Sequence, residues 1–498
     1  MGTKKLIGSI AMTILLGTAH ESSVAAQEYV KPDFMVSDVT DYYYKLPQLS
    51  VSKAGDMVVV WETTGAGDIW FKTIASLGEQ ISEQQLVETP NSTMETRVAH
   101  ADTGNFMVMY GGYAAVGWSV IGQVYDRNGQ VIGDTFTIDH STTEMIQTSH
   151  ATLSADRNNQ FAVLLPGIDS MVVEIISGTG AFVGNTTVLK PGGTIPTLLT
   201  GIMTWSGENV MVWLDGASGE IYGLRYTSDG IPIGEEFQVS RKDENSILQD
   251  IALSSDTSGN FVVAWTSNSN QQETDIYSQL FNAEGIAVGS NTKITDEQIS
   301  IENINGRISV DMDLDGKFVV AWSDTRVIDT SYIYVQQVDH TGERVGGNYR
   351  ATSINNEIES VSSLPLQVEP CVQILRDTIF LTWVNYNQDL HYRHSIFANI
   401  QKWVPDVTGL DHQIYSPVNS TIYPNPTTGL FSLMMDHEYS GRLEMEVFNT
   451  AGVLVKRVTR SGSGMEETID LSDLPMGTYY LSVKGVDFIS TTPLVIIK

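Results

Sequence analysis

The chain has 498 residues, 42% of them apolar, with 28 Lys and Arg set against 59 Asp and Glu for a formal net charge of -31. The apolar share is enough for a large buried core, while the acidity argues against a nucleic-acid partner, because phosphate contacts need clustered Lys and Arg. It suits a solvated extracellular surface, or a cation or basic partner.

At the N-terminus, Lys4 and Lys5 precede an apolar run from Leu6 to Leu16 and small residues ending Val24-Ala25-Ala26. This pattern predicts a secretory signal over 1–26, cleaved after Ala26. The run is too short to span a bilayer, and no later stretch approaches the roughly 20 apolar residues that a transmembrane span needs. No cysteine follows Ala26 at the cleavage site, so a lipidated N-terminus is not expected. Cys371 is the only cysteine, which excludes an internal disulfide. Set in the run Cys371 to Leu375, it reads as a small buried apolar residue. A domain this large does not depend on disulfide staples.

From residue 46 to about 404 one unit recurs. Its clearest copy is Asp256-Thr-Ser-Gly-Asn-Phe-Val-Val-Ala-Trp265, and weaker copies end at Trp61, Tyr110, Leu165, Trp213, Trp322 and Trp383. Successive closing residues lie 49, 55, 48, 52, 57 and 61 positions apart, a period that signals arrays or propellers. Within the unit, short runs rich in β-branched and aromatic residues are separated by Gly, Asp and Asn turns, which reads as a four-stranded antiparallel meander. Phe261 to Trp265 is continuously apolar, as a strand covered on both faces should be, and too short for a helix. The second half of the unit repeats a pair of glycines four apart with Val or Ile before the second, as in Gly129…Gly133, Gly180…Gly184, Gly230…Gly234, Gly285…Gly289 and Gly342…Gly346. There glycine supplies a tight turn and then a bend in the outer strand.

The seventh copy lacks that second half, whereas Phe34-Met-Val-Ser37, ahead of the first copy, matches Phe237-Gln-Val-Ser240. An N-terminal strand that completes the last blade would close a ring and remove exposed sheet edges. The fold expected is therefore all-β: a seven-bladed β-propeller over 27–404. An open β-solenoid is the alternative, and the displaced strand argues against it. The unit resembles the ~50-residue Asp-x-x-Gly-x-Phe-Val-Val-x-Trp repeat of large bacterial extracellular proteins of unassigned activity, a resemblance that implies a fold and no function.

Aligning the innermost strands places Gln48, Arg97, His150, Thr200, Asp250, Arg307 and Glu369 at their starts, where they would ring one mouth of the central channel. This is the candidate binding site. Asp311, Asp313 and Asp315 with Gly316 give the opening of a calcium loop, although position twelve is Trp322 rather than a carboxylate. A plain hairpin turn is the competing reading, and no other cofactor is expected. His391 and His394, three apart on a strand, face opposite sides and share no metal. No catalytic residue is assigned. The Asp256 turn departs from the aspartate box of sialidases in its spacing, and among scattered acids no glycosidase pair stands out.

Residues 405–417, with Pro405, Gly409 and Pro417, read as a linker. Beyond it, 418–498 reads as a small antiparallel, immunoglobulin-like β-sandwich. Its marks are Tyr423-Pro424-Asn425-Pro426 with Gly429, the turn glycine Gly452, Leu474-Pro-Met-Gly477-Thr-Tyr479, and the basic end Lys498. These residues closely resemble the type A C-terminal sorting domain of the type IX (Por) secretion system. The resemblance implies a Bacteroidota-type cargo that passes through the periplasm, is recognised by the outer-membrane translocon, and loses this module to a sortase-like peptidase. The passenger is then released or tethered to surface lipopolysaccharide. An accessory carbohydrate-binding sandwich is the alternative. The function expected is a secreted or cell-surface propeller that binds a glycan, a peptide or a partner protein, in adhesion or nutrient scavenging. A secreted polysaccharide-active or sialidase-like hydrolase is the alternative.

Overall fold

The computed structural model describes residues 29–497 except 39–42, 65–66, 88, 90–93, 115–116, 139–150, 157, 168–169, 190–195, 242–245, 270–272, 297–298, 301–306, 326–330, 353–365, 388–392, 404–415, 418–419, 450–453 and 485–487. The expected signal over 1–26, most of the expected linker, and His150, His391, Gly452 and Lys498 therefore lie outside the described residues.

Every regular element among the described residues is a β-strand. Six antiparallel meanders follow one another along the chain: Tyr44–Val51 to Gln85–Val87, Met94–His100 to Val131–Ile138, Thr152–Ala155 to Phe182–Leu189, Pro196–Met203 to Pro232–Gln238, Ser246–Ser255 to Ala287–Lys293, and Ser309–Met312 to Arg344–Arg350. The seventh sheet joins Leu366–Leu375, Thr378–Asn387 and Arg393–Lys402 to the N-terminal strand Tyr29–Met35. Phe34 pairs with Ala398 and Met35 with Phe397. The chain is thus an all-β, seven-bladed β-propeller fastened by its N-terminal strand, followed by a C-terminal β-module.

The second strand of each blade explains why the blades stack. Met57 to Trp61 are all fully buried, as are Phe318 to Ala321, because neighbouring blades cover both faces. Seven apolar clusters lie between adjacent sheets, one of them joining the seventh blade to the first. An open array would leave that last face uncovered, so closure buries it. The closing tryptophans set the register of the second and third strands. Trp213 pairs with Tyr222, Trp265 with Tyr277, Trp322 with Tyr334 and Trp383 with Phe397. The rings in each pair stack at 6.1 to 6.5 Å, a cross-strand contact that adds to area burial.

The hairpin joining the first two strands of a blade is a side-chain-braced turn. In blade 5, Asp256 Oδ1 accepts the backbone N–H groups of Ser258 and Asn260, while Gly259 takes φ +90°. The aspartate of the repeat is therefore held by its own turn.

In the C-terminal module, Leu430–Asn449 and Leu454–Asp470 pair with each other along most of their length, with a break between Met434 and Tyr439. Before the break Leu430–Asn449 meets Ser420–Tyr423, and after it meets Gly477–Lys484. The bent strands thus pass between two layers. Alternate residues Phe431, Leu433 and Met435 from one layer, and Leu443, Met445 and Val447 from the other, share one buried core.

Candidate functional site

The innermost strands do not run regularly. In blades 1, 2, 5 and 7 a residue without glycine's freedom takes a positive φ: Leu46 at 50°, Glu95 at 63°, Asp250 at 40° and Glu369 at 55°. Each sits at a register break. These bulges shift the side chains that reach the axis. Paired against the equivalent position of the second strand are Gln48, Arg97, Thr152, Thr200, Ala252, Ser309 and Cys371. The expected ring therefore needs correcting: Asp250, Arg307 and Glu369 stand two residues earlier than their counterparts. The inner strands of blades 1, 2, 4, 5 and 7 also begin upstream of the expected residues, so these lie within the strand, Asp250 and Glu369 at the bulge itself, and not at the strand entry. A backbone bulge adds a residue without changing composition, which is why alignment by pattern slips there.

The displaced residues still meet the others. Gln48, Arg97, Thr200, Asp250 and Arg307 line a single cavity of roughly 230 Å³ within the channel. Glu369 turns away, its Oε2 accepting the backbone N–H of Leu46 in the next blade at 2.6 Å. Asp250 makes the same latch, its Oδ2 accepting Ile308 N–H at 2.6 Å. Two bulge carboxylates thus pin one blade to the next. Burial pushes the Asp250 carboxyl up to about 6, opposed by that N–H bond and the Arg307 charge. Burial also raises Glu369. Arg97, whose Nη1 donates to Thr96 O at 2.9 Å, is held down at about 10 by burial and by the charge of Arg307. Two arginines are therefore close enough on this channel to repel each other.

The channel continues into a second chamber of roughly 380 Å³, which shares Gln48, Arg97, Thr152, Ser309 and Cys371 with the first. Sequence reasoning missed its other polar residues. His100 is held neutral, down at about 3, by burial, with its Nδ1 at 3.1 Å from Ser50 Oγ. Cys371 packs against the apolar cluster between blades 7 and 1, as expected, and also lines the channel wall, and burial pushes its thiol up to about 11. Trp205, from the blade 4 hairpin, reaches across to blade 1, where Lys53 Nζ lies 4.2 Å from its ring.

Asp311, Asp313 and Asp315 do not converge. Asp311 accepts Ile374 N–H at 2.9 Å and the Ser254 hydroxyl at 2.9 Å. Asp313 accepts Arg376 N–H at 2.7 Å. Lys317 Nζ lies 3.3 Å from both Asp313 and Asp315. The cation beside this turn is the protein's own, and among the described residues no group of three His, Cys, Asp or Glu is placed to hold a metal ion.

In the C-terminal module the marked residues tie the last strand into the sandwich. Asn425 donates from Nδ2 to Pro493 O at 2.7 Å, and its Oδ1 accepts Val495 N–H at 2.9 Å. Thr427 exchanges backbone hydrogen bonds with Val495 and Ile497. Gly429 takes φ +114°, and a Cβ there would fall 2.4 Å from Ser472 Cα. Leu474 is buried, and the Tyr479 hydroxyl donates to Pro475 O at 2.9 Å. Tyr423 remains exposed. Residues 421–498 match the family model of the secretion system C-terminal sorting domain. The chain carries a type IX sorting domain.

This sorting domain directs export to the cell surface or into the medium and implies contact with the type IX machinery. No described helix is long and apolar enough to cross a membrane. No curated protein matches the chain. Among solved structures, a protein of unknown function from Dyadobacter fermentans superposes with TM-score 0.44 at 9% identity, covering 76% of this chain and all of that one. The polysaccharide lyase Uly1 gives 0.45 at 10% identity over 74% of this chain and 100% of that chain. The α-L-arabinofuranosidase Arb93A of Fusarium graminearum gives 0.38 at 8% identity over 76% and 98%.

Proposed function

We propose that the protein is a surface or secreted propeller that binds a glycan or peptide ligand bearing an anionic group, held in the central channel by Arg97 and Arg307. The observation that carries this reading is the convergence of both arginines with Gln48 and Thr200 on one cavity, while the carboxylates beside them are occupied by backbone N–H groups of the next blade. Guanidinium groups offer five N–H donors in a planar fork that matches a carboxylate or sulfate. Their mutual repulsion in a partly desolvated site falls when an anion enters. Glycoside hydrolysis instead needs two carboxyl groups free to face one bond, whereas Asp250 and Glu369 each give an oxygen to a backbone N–H of the next blade and Glu369 does not line this cavity. Residues 1–26 serve as the secretory signal in this reading, the source is a member of the Bacteroidota, and the passenger acts as a ligand-binding or adhesion module.

The test is a panel of uronate-containing, sulfated and neutral polysaccharides, with acidic peptides, scored for both retention and cleavage by the purified protein. Retention of anionic members, lost in Arg97→Gln and Arg307→Gln variants that keep the wild-type far-UV spectrum, supports the proposal. Retention indifferent to both substitutions overturns it, and release of new reducing ends without unsaturated uronate ends makes the protein a hydrolase.

A further inference from the structure

At one register position of the third strand, blades 2, 5 and 6 carry Gln123, Gln279 and Gln336, opposite Val108, Val263 and Val320. Each glutamine acts as a clamp. Gln279 Nε2 donates to the carbonyls of Leu280 and Val288, both at 3.0 Å, and its Oε1 accepts from Asn291 at 2.7 Å. Gln123 and Gln336 make the equivalent bonds. The clamp spans a bulge in the outer strand that opens on a positive-φ glycine: Gly133, Gly289 or Gly346.

Blade 3 has Glu174 at this position, opposite Val163. A carboxylate has no N–H to give those carbonyls. The outer strand of this blade also departs: Gly184 lacks the positive φ of Gly133, Gly234, Gly289 and Gly346, and the bulge shrinks to Val183, between the pairs Ile175–Gly184 and Ile176–Phe182. Ile176 also stands where blade 5 has Phe281, whose ring packs 4.9 Å from both Phe261 and Phe237. The smaller side chain and the narrower bulge leave a cavity of roughly 250 Å³ between blades 2 and 3, walled by Phe136, Ile138, Ile176 and Phe182. Glu174 and Asn185 form its polar end. Glu174 is 3% exposed. Its Oε1 accepts from Asn185 Nδ2 at 3.3 Å, and its Oε2 has no hydrogen-bond partner among the described residues. Phe182, 62% exposed, forms the rim.

A buried carboxylate oxygen without a donor costs free energy. The complementary occupant brings N–H donors and positive charge on an apolar stem, and phenyl faces attract a cation as well. We propose that this cavity binds an organic ammonium ion, its nitrogen on Glu174 Oε2 and its apolar body against Phe136, Ile176 and Phe182. The site lies between blades at the rim and does not depend on the channel reading. Burial raises the Glu174 carboxyl, as expected of a group lacking its counter-ion, and the net charge of -31 favours cation approach.

The ammonium group could arrive on a free amine or on a lysine side chain. Benzylammonium and Nα-acetyl-lysine methylamide are therefore titrated in parallel by calorimetry, with benzyl alcohol as the neutral control. Saturable binding of either ammonium, weakened at least tenfold by Glu174→Gln and several-fold by Phe182→Ala, supports the site, and the tighter probe identifies the source. Glu174→Gln removes the charge from a side chain of nearly the same shape, and with Tm and the far-UV spectrum kept, lost binding is not lost fold. Equal affinity for benzyl alcohol, binding unchanged in Glu174→Gln, or no binding of either ammonium at 10 mM, roughly the weakest affinity of interest, overturns the proposal.

Discussion

Asp311 offers a measurable test of how the blades are latched. Its carboxylate bridges three blades' worth of chain, accepting from Ser254 of blade 5 and Ile374 of blade 7 while sitting in the inner strand of blade 6. Burial pushes it up to about 7 against those hydrogen bonds, with the charge of Asp313 adding to the rise. A folded-state value above the unfolded one means that the folded chain holds the proton more tightly. The associated stability is present in full below about pH 4 and is lost as pH rises through 7. For a shift from 3.8 to about 7, linkage gives a loss of about 2.5 kcal/mol between pH 5 and pH 8. His100, held down at about 3, acts in the opposite sense, losing stability as pH falls below the ordinary imidazole range, so the wild-type curve alone mixes the two. The difference between Asp311→Asn and wild type isolates the aspartate. The amide keeps an acceptor for Ile374 N–H and can donate to Ser254, yet carries no charge. In urea unfolding followed by tryptophan fluorescence, the variant gains about 2.5 kcal/mol relative to wild type on going from pH 5 to pH 8. A difference that stays constant across that window refutes the account of Asp311 as a buried carboxylate near neutrality.

Deleting residues 27–37 removes the strand that pairs with Arg393–Lys402, and the exposed edge and uncovered core lower the urea midpoint and promote association in light scattering; an unchanged midpoint would mean that the ring closes without it. Arg350 is fully buried against the Tyr332 ring, and its guanidinium nitrogens make no hydrogen bond among the described residues. Arg350→Met is therefore expected to be neutral or to stabilise by about 1–3 kcal/mol in the same assay, and a loss of more than about 2 kcal/mol would reveal an anionic partner. Gly429→Ala forces both a positive φ on alanine and a Cβ into Ser472, so the sorting domain misfolds and the passenger collects in the periplasm in a fractionation blot. Surface delivery at the wild-type level would show that this turn is dispensable for export.

Blade number was legible in the sequence because it is carried by side chains that cannot be elsewhere. Trp61, Trp213, Trp265, Trp322 and Trp383 are the largest fully buried residues of their strands, Tyr110 and Leu165 hold the same place in blades 2 and 3, and the spacing of all seven counts the sheets. The displaced N-terminal strand was legible for the same reason, since the last sheet lacked a fourth member and Phe34 supplied the matching pattern. The inner-strand bulges were not legible. Leu46, Glu95, Asp250 and Glu369 adopt positive φ without glycine or asparagine to announce it. Tertiary packing between blades fixes that conformation, and local preference would resist it. An alignment blind to the bulges misplaces Asp250 and Glu369 by two residues, and Arg307 stands off by the same two without a bulge in its blade. Conversely, Gly180…Val183-Gly184 matched its sisters in letters, yet Gly184 does not take their conformation.

The seven modules are one solution to the problem of burying both faces of a short sheet, and most of their residues serve that end. What distinguishes one blade from another is therefore informative, because a departure from the repeat is not needed for packing and often works against it. The departures fall in two places. On the channel wall, Gln48, Arg97, Thr200 and Cys371 occupy one structural position with four chemistries, where packing alone would accept any small residue, as Ala252 shows. In blade 3, Glu174 stands where blades 2, 5 and 6 carry the clamping glutamine, Ile176 stands where blades 2 and 5 carry a stacked ring, and a cavity lies at this joint. A repeat scaffold tolerates both because each blade's stability rests on its own second strand and on its two neighbours. Variation at the axis or at one joint leaves those contacts intact, which makes these two places the ones where ligand chemistry can be built without unfastening the ring.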